Sequence, residues 1–507
     1  MTEANTRSRV SINRLVTGVP GLDEVLGGGV PEYAFTLLAG SPGTGKTTLA
    51  QQVMFGLATP QRPALHFTVL GEPVLKMLRY QQQFSFFDPS KVGTSIQFVN
   101  LSEEVLQQDL GAVLDRIVRE VEQTNPAIVV VDSFRSVVRA ATASSDGKLE
   151  LQGFLQRLAL HLTTWQATTF LVGEYLENEI PDNPVFTVAD GVLWLYQSID
   201  RNSSVRKLQV LKMRGQAPLP GMHTMRITDA GTQVFPRIIK RIAETDNPRP
   251  KKRLSVGPGI DDMLGGGIPA WDSAIVAGPA GSGKSALATQ FIAEGLKQAE
   301  SGVIVVFEER PKEYVARAKT LGPDLQKMVE RGLLEVLYLR PLDLSVDETL
   351  LEIQAAVLRL KAQRLVIDSL SGFELALAPT FREDFRESLY RMVGALTGAG
   401  VTVFMTVEVP VSFTDLEFSP DLISFLTDDI ILQRYVEVNG HLRKVITVVK
   451  MRGSAHDTAL RTYEVTEHGL VLGEELTDYV GIISGVARRR EDLPADSVAD
   501  RSTAAGS

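Results

Sequence analysis

The 507-residue sequence contains no cysteine. Disulfides, thiolate metal sites and cysteine nucleophiles are therefore excluded, while the compartment stays open. Long apolar runs are missing too. Ala127–Val131 and Val401–Val411, the most apolar stretches, fall far short of the roughly 18 residues of a membrane span and read as buried parallel strands. Met1 to Asn13 is polar and lacks the apolar core of a secretory signal. The chain is accordingly expected to be soluble and cytoplasmic, with no membrane partner. There is no excess of positive charge either: the formal net charge is −9, which argues against nucleic acid as a partner.

What is there is a globular composition, 44% apolar and 22% charged, on a chain too long for one core; two domains of roughly 200–250 residues are the natural division. An internal repeat supports that division. Thr17-Gly18-Val19-Pro20-Gly21-Leu22-Asp23-Glu24-Val25-Leu26-Gly27-Gly28-Gly29-Val30-Pro31 returns as Val256-Gly257-Pro258-Gly259-Ile260-Asp261-Asp262-Met263-Leu264-Gly265-Gly266-Gly267-Ile268-Pro269. The offset holds further along: Lys46 and Lys284 differ by 238, Asp132 and Asp368 by 236, Lys212 and Lys450 by 238. A register kept over a whole domain is a duplication. Within each copy, short apolar runs alternate with amphipathic stretches, which predicts a parallel sheet flanked by helices. Lys251-Lys252-Arg253, near the junction, reads as a solvated hinge.

Gly40-Ser41-Pro42-Gly43-Thr44-Gly45-Lys46-Thr47 follows the apolar run Tyr33–Ala39 and precedes a helical pattern, the strand–loop–helix context of a phosphate-binding loop. Its glycines let backbone N–H groups turn inward around phosphate oxygens. Lys46 is placed to reach the β- and γ-phosphates, and Thr47 to put its hydroxyl on Mg²⁺. Gly278-Pro279-Ala280-Gly281-Ser282-Gly283-Lys284-Ser285 repeats the pattern, with Lys284 and Ser285 in those roles. The candidate nucleotide contacts are thus Gly43, Thr44, Gly45, Lys46, Thr47 and Thr48, and Gly281, Ser282, Gly283, Lys284, Ser285 and Ala286. Strand-end aspartates Asp132 and Asp368 are expected to hold the Mg²⁺ shell.

The copies differ in their other carboxylates. In the second, the strand Val303–Phe307 runs into Glu308-Glu309-Arg310-Pro311, and a carboxylate there can orient and deprotonate the attacking group. Glu308 and Glu309 are the catalytic candidates, with Lys46 and Lys284, and Glu308 is also a candidate Mg²⁺ ligand beside Thr47 and Ser285. The first copy reads Leu70-Gly71-Glu72-Pro73, with no carboxylate at the two matching positions, although Glu72 can substitute if the strand end is rebuilt by one residue.

Together these motifs resemble the KaiC family of RecA-like ATPases, from about Gly18 to Gly485, including Lys-x-Arg-Gly in both copies and Ile482-Ile483-Ser484-Gly485. The expected fold class is α/β: two tandem RecA-like P-loop domains, each a mostly parallel sheet flanked by helices. The expected bounds are an N-terminal tail at 1–13, a first domain at 14–242, a linker at 243–253, a second domain at 254–485 and a disordered tail at 486–507. The resemblance implies ATP and Mg²⁺ as cofactors, a homo-hexamer with ATP between subunits, and regulatory adaptor proteins engaging the tail. It implies that Lys212 and Arg214, and Lys450 and Arg452, act on the neighbouring subunit's nucleotide, with Met451, Ser454 and His456 as further contacts. An alternating strand puts such a Lys-x-Arg pair on one face. The first copy continues Gln216-Ala217-Pro218, without the histidine. The first domain is therefore expected to turn ATP over slowly or not at all, and the second to carry most of the chemistry. Leu321 stands where the family places an aromatic against the base.

The resemblance also implies Ser/Thr autokinase activity. Ser424 falls on a phosphorylated serine position, while Phe425 replaces the neighbouring threonine. The function expected is a signalling or clock-type ATPase switch. The alternatives are a DNA-dependent recombinase or helicase motor, opposed by the acidic balance and by the lack of basic loops interleaved with aromatics, and a non-enzymatic nucleotide-gated scaffold, opposed by Glu308 and Glu309.

Overall fold

The computed structural model describes residues 12–69, 74–107, 109–141, 147–200, 203–237, 249–321, 324–339, 345–377, 382, 385–409, 427–438, 440–480 and 488–489. The chain forms two compact units, divided between Ile238 and Ile239. Each holds a nine-stranded sheet of the same strand order.

In the first unit the P-loop strand Phe35–Gly40 lies between Thr168–Glu174 and Gly191–Asp200, parallel to both. Beyond Thr168–Glu174 come Ile128–Asp132, Ala64–Thr68 and Ile96–Asn100, all parallel. On the other side Ser203–Met213, Met222–Thr228 and Gly231–Phe235 continue antiparallel. The second unit repeats this with Ser273–Gly278 at the centre, Thr402–Glu408, Arg364–Asp368, Gly302–Val306 and Leu334–Tyr338 on the parallel side, and Asp429–Val438 on the other. His441–Met451, Arg461–Thr466 and Gly469–Glu475 complete it antiparallel.

Both central strands are buried along their whole length, as a strand covered by helices on two faces must be. Period-two alternation divides them: Phe35, Leu37 and Ala39 enter one apolar cluster, and Leu38 enters another with Leu49 and Val53 of the P-loop helix Lys46–Leu57. Covering helices carry their own sequence signals. Leu110–Thr124 buries Val113, Leu114, Ile117 and Val121 on one stripe, and Asp109 caps it by accepting from the Ala112 N–H at 3.0 Å. Its counterpart Val346–Leu360 is capped by Ser345, which accepts from the Glu348 N–H at 3.1 Å.

Of the basic run at the junction, Lys251 and Lys252 are exposed and Arg253 is partly buried. Arg253 begins a short strand paired with Ile268–Pro269, and its guanidinium donates to the carbonyls of Leu264 and Gly267. Lys252 is ion-paired with the buried Glu300, and Arg249 with the buried Asp272. At the other end, Arg488–Arg489 pairs with Tyr479–Val480, within the stretch expected to be a tail. Among the described residues, no helix is long and apolar enough to cross a membrane.

Candidate nucleotide sites

Each cradle is a turn between the buried central strand and a helix. Gly45 and Gly283 head those helices at φ 98° and 106°, a left-handed conformation that a side chain disfavours. A Cβ at Gly45 would lie 2.5 Å from Ile227, and one at Gly283 would lie 2.9 Å from Val465. Both cradles thus pack against the antiparallel arm. In the first unit the Arg206 guanidinium also donates to the Gly43 carbonyl; in the second the Tyr463 hydroxyl donates to the Ser282 carbonyl at 2.6 Å.

In the first cradle the Lys46 ammonium donates to the Ser41 carbonyl at 2.7 Å and approaches the Thr44 hydroxyl at 3.4 Å. The Thr47 hydroxyl donates to Asp132 Oδ2 at 2.7 Å, which brings together the two groups expected at Mg²⁺. Gly43, Gly45, Lys46, Thr47, Thr48, Asp132 and Glu174 line one cleft of about 310 Å³. Burial lowers the Lys46 pKa, opposed by the charges of Glu174 and then Asp132. An ammonium so desolvated is set to gain strongly from phosphate.

The second cradle holds Lys284 on the Gly278 and Pro279 carbonyls, at 2.8 Å each. Burial lowers this lysine too, opposed by Glu408, Asp368 and Glu308 in that order. Asp368 accepts from the Thr406 hydroxyl at 2.6 Å. Glu308 accepts from the Ser369 hydroxyl at 3.3 Å, in a space kept open by Gly372, where a Cβ would stand 2.6 Å from the carboxylate. Glu309 turns away and is ion-paired with Arg317 of the following helix. The adjacent glutamates therefore divide: one faces the cradle and the other anchors the strand end. Ala286 and Leu321 line a separate cavity of about 310 Å³ along the P-loop helix, with Thr289, Gln290 and Gly469.

The Lys-x-Arg pairs lie elsewhere. Lys212 donates to the Phe186 and Thr187 carbonyls, and Arg214 is ion-paired with Asp190 at 2.9 Å. Asp190 in turn accepts from the N–H of Phe35, the first residue of the P-loop strand. In the second unit Lys450 donates to the Thr427 carbonyl, Arg452 pairs with Asp428 at 3.2 Å, and Asp428 accepts from the Ser273 N–H. Each pair thus sits at the beginning of the central strand and each cradle at its end, five residues or roughly 17 Å away. The alternation that leaves Lys450 partly and Arg452 fully exposed turns Met451 into the core. Ser454 Oγ and His456 Nε2 are shielded from solvent without a partner.

Glu174 and Glu408 escaped the sequence reading. No motif marks them; parallel pairing sets Glu174 beside Gly40, and Glu408 beside Gly278. Leu70, Gly71, Glu72, Ser424, Phe425 and Ile482–Gly485 lie outside the described residues.

A family model described as ATPase: KaiC matches residues 15–238 and again 256–477. The chain is 29% identical over 504 residues to the circadian clock oscillator protein KaiC of Picosynechococcus sp., covering 96% of this chain and 95% of that one. It is 30% identical over 488 residues to the protein of the same name from Rippkaea orientalis, covering 94% and 92%.

Proposed function

This chain belongs to the KaiC family of ATPases, and on that premise we propose that it is an ATP-driven switch whose nucleotides are bound and turned over between neighbouring copies. One observation carries the reading: Lys212 and Arg214, and Lys450 and Arg452, are held a full strand length from their own cradles. A cation clamp at that end stabilises phosphate charge only on another chain's nucleotide. A ring of such chains closes, and by family likeness it is a hexamer.

In the second unit Glu308 takes the proton of the attacking oxygen, Lys284 and the backbone N–H groups hold the phosphates, and the neighbour's Lys450 and Arg452 meet the charge that develops. The Thr47 hydroxyl with Asp132, and Ser285 with Asp368 and Glu308, are hard oxygen donors that suit Mg²⁺ arriving with ATP. Bound there, Mg²⁺ neutralises phosphate charge. Ser424 is the proposed phosphate acceptor when a side-chain hydroxyl replaces water. Phosphate would bring roughly −2 charge and three acceptor oxygens. Adaptor proteins would read the resulting state.

Two measurements test this. Chains carrying Lys284→Ala and Arg452→Ala, each weak alone, should regain turnover when mixed and allowed to exchange, because some interfaces then hold an intact cradle and an intact clamp. Failure of exchanged mixtures to recover would refute the shared site. Intact-mass and phosphopeptide analysis after incubation with Mg·ATP should find phosphate on Ser424 that disappears in Glu308→Gln. ADP without any phosphopeptide would leave an ATPase and remove the autokinase.

A further inference from the structure

The first unit lacks the carboxylates that equip the second. Leu70 and Gly71 occupy the sequence positions of Glu308 and Glu309, yet the described cleft does contain carboxylates. Asp132 is one, and it is already engaged by the Thr47 hydroxyl at the expected Mg²⁺ position. The other is Glu174. It ends the strand Thr168–Glu174, pairs across with Gly40, the first residue of the cradle, and lines the same cleft as Lys46, Thr47 and Asp132.

Its direction is fixed by its neighbours. Tyr175 is buried under the Arg135 guanidinium, 4.9 Å from the ring centroid, and Arg135 is itself tied to Glu179 at 2.5 Å. A Cβ at Gly173 would lie 2.3 Å from the Tyr175 ring, so the residues on both sides of Glu174 are committed to one packed face. Glu174 is left on the exposed side, over the cleft.

We propose that Glu174 is the general base of the first unit: it orients the attacking water and takes its proton as the water oxygen bonds to the γ-phosphorus. The bond from that phosphorus to the bridging oxygen breaks, and ADP and inorganic phosphate leave. The charge relation supports this placement, since Glu174 offsets the desolvation of Lys46 more than Asp132 does. Glu408 has the equivalent place in the second unit, where Glu308 already faces the cradle. The inference rests on the reading of both cradles as ATPase sites, and it gives the first unit a slow turnover of its own.

The test uses the full chain with Lys284→Ala, which silences the second cradle, alone and combined with Glu174→Gln or Glu174→Asp. Hydrolysis at saturating Mg·ATP is measured beside binding of a fluorescent ATP analogue. The expected result is slow turnover that Glu174→Gln lowers by about 100-fold, at the low end of general-base contributions, with nucleotide affinity changed less than a few-fold. Glu174→Asp, which keeps the carboxylate, should recover part of the rate. Turnover unchanged by Glu174→Gln would overturn the assignment, as would nucleotide bound in Lys284→Ala without turnover. Absence of binding in Lys284→Ala would overturn the reading of the first cradle as well, so the two failures are distinguishable.

Discussion

At the middle of the strand Ala64–Thr68, one strand in from the parallel edge of the first sheet, stands a fully buried histidine, His66; at the same place in the second sheet stands Ile304. The reverse exchange occurs elsewhere. Ile128 in the first unit is matched by Arg364 in the second, Ala34 by Asp272, and Gly191 by Asp429. All three of those polar side chains are almost inaccessible to solvent. Strand order, P-loop and Lys-x-Arg pair are shared by the two units, whereas several of their buried polar groups are not. Duplication has preserved the backbone around each P-loop and its buried lysine, while elsewhere in the interior the two units carry different ionisable groups. The units should therefore differ most in chemistry, then in stability, then in their response to pH.

The largest expected difference is in turnover. Glu308→Gln should lower ATP hydrolysis of the full chain by about 10²–10⁴-fold of the second unit's share, the usual range for a general base, leaving only the first unit's rate. Close behind, Lys284→Ala should remove most steady-state hydrolysis and Lys46→Ala little of it. Equal losses, in variants that still assemble, would erase the asymmetry between the cradles.

The next difference is in stability. Arg364 is buried over the Phe291 ring, donates to the Ser255 and Phe291 carbonyls, and is ion-paired with the buried Glu300 at 2.7 Å. Gly295 leaves room for it, because a Cβ there would stand 2.3 Å from Nε. Arg364→Ala removes one partner of a buried pair, which costs about 3 kcal/mol. It should lower the unfolding midpoint of the second unit in urea, and leave the first unit's transition in place. A shift shared by both units would mean that they unfold as one.

The sequence made part of this legible. Each cradle is local: eight consecutive residues between a buried strand and a helix, so a motif suffices. The repeat located the Lys-x-Arg pairs, and alternation along the strand anticipated that Lys450 and Arg452 share a face. What escaped depends on partners far along the chain. Glu174 meets the cradle only because a parallel crossover brings residue 174 beside residue 40. Lys252 is exposed, but its ion pair could not be foreseen because its partner, Glu300, is 48 residues away. Arg364 opens an apolar strand and gives no sign of being buried until Gly295 and Glu300 are placed around it. Nor does an adjacent Glu308-Glu309 reveal which member faces the cradle; Arg317 decides that.

The smallest difference is the one whose sign is most informative. Burial holds the His66 pKa at about 4, below the ordinary 6.5. Above pH 6.5 the folded and unfolded chains are alike at this group. As pH falls from there towards 4, the unfolded chain takes up a proton that the fold refuses, and the first unit loses stability, by up to ~3 kcal/mol. In the second unit, burial and the neighbouring Asp272 and Asp428 raise Asp429 to about 7, against Arg253 and the Arg452 N–H, with Lys450 also within range. Asp272 is raised to about 6 by burial and Asp428, against Arg249, Arg452 and Arg253. For a raised carboxyl the sign reverses: its contribution is intact below the unfolded value near 4 and is lost as pH climbs towards 7. His66→Ile, which installs the second unit's residue, should therefore raise the melting temperature more at pH 5 than at pH 8. Asp429→Asn should raise it more at pH 8 than at pH 4. Melting differences that are flat across pH, or that share one sign of slope, would show that these buried groups do not set the acid and base limits of their units.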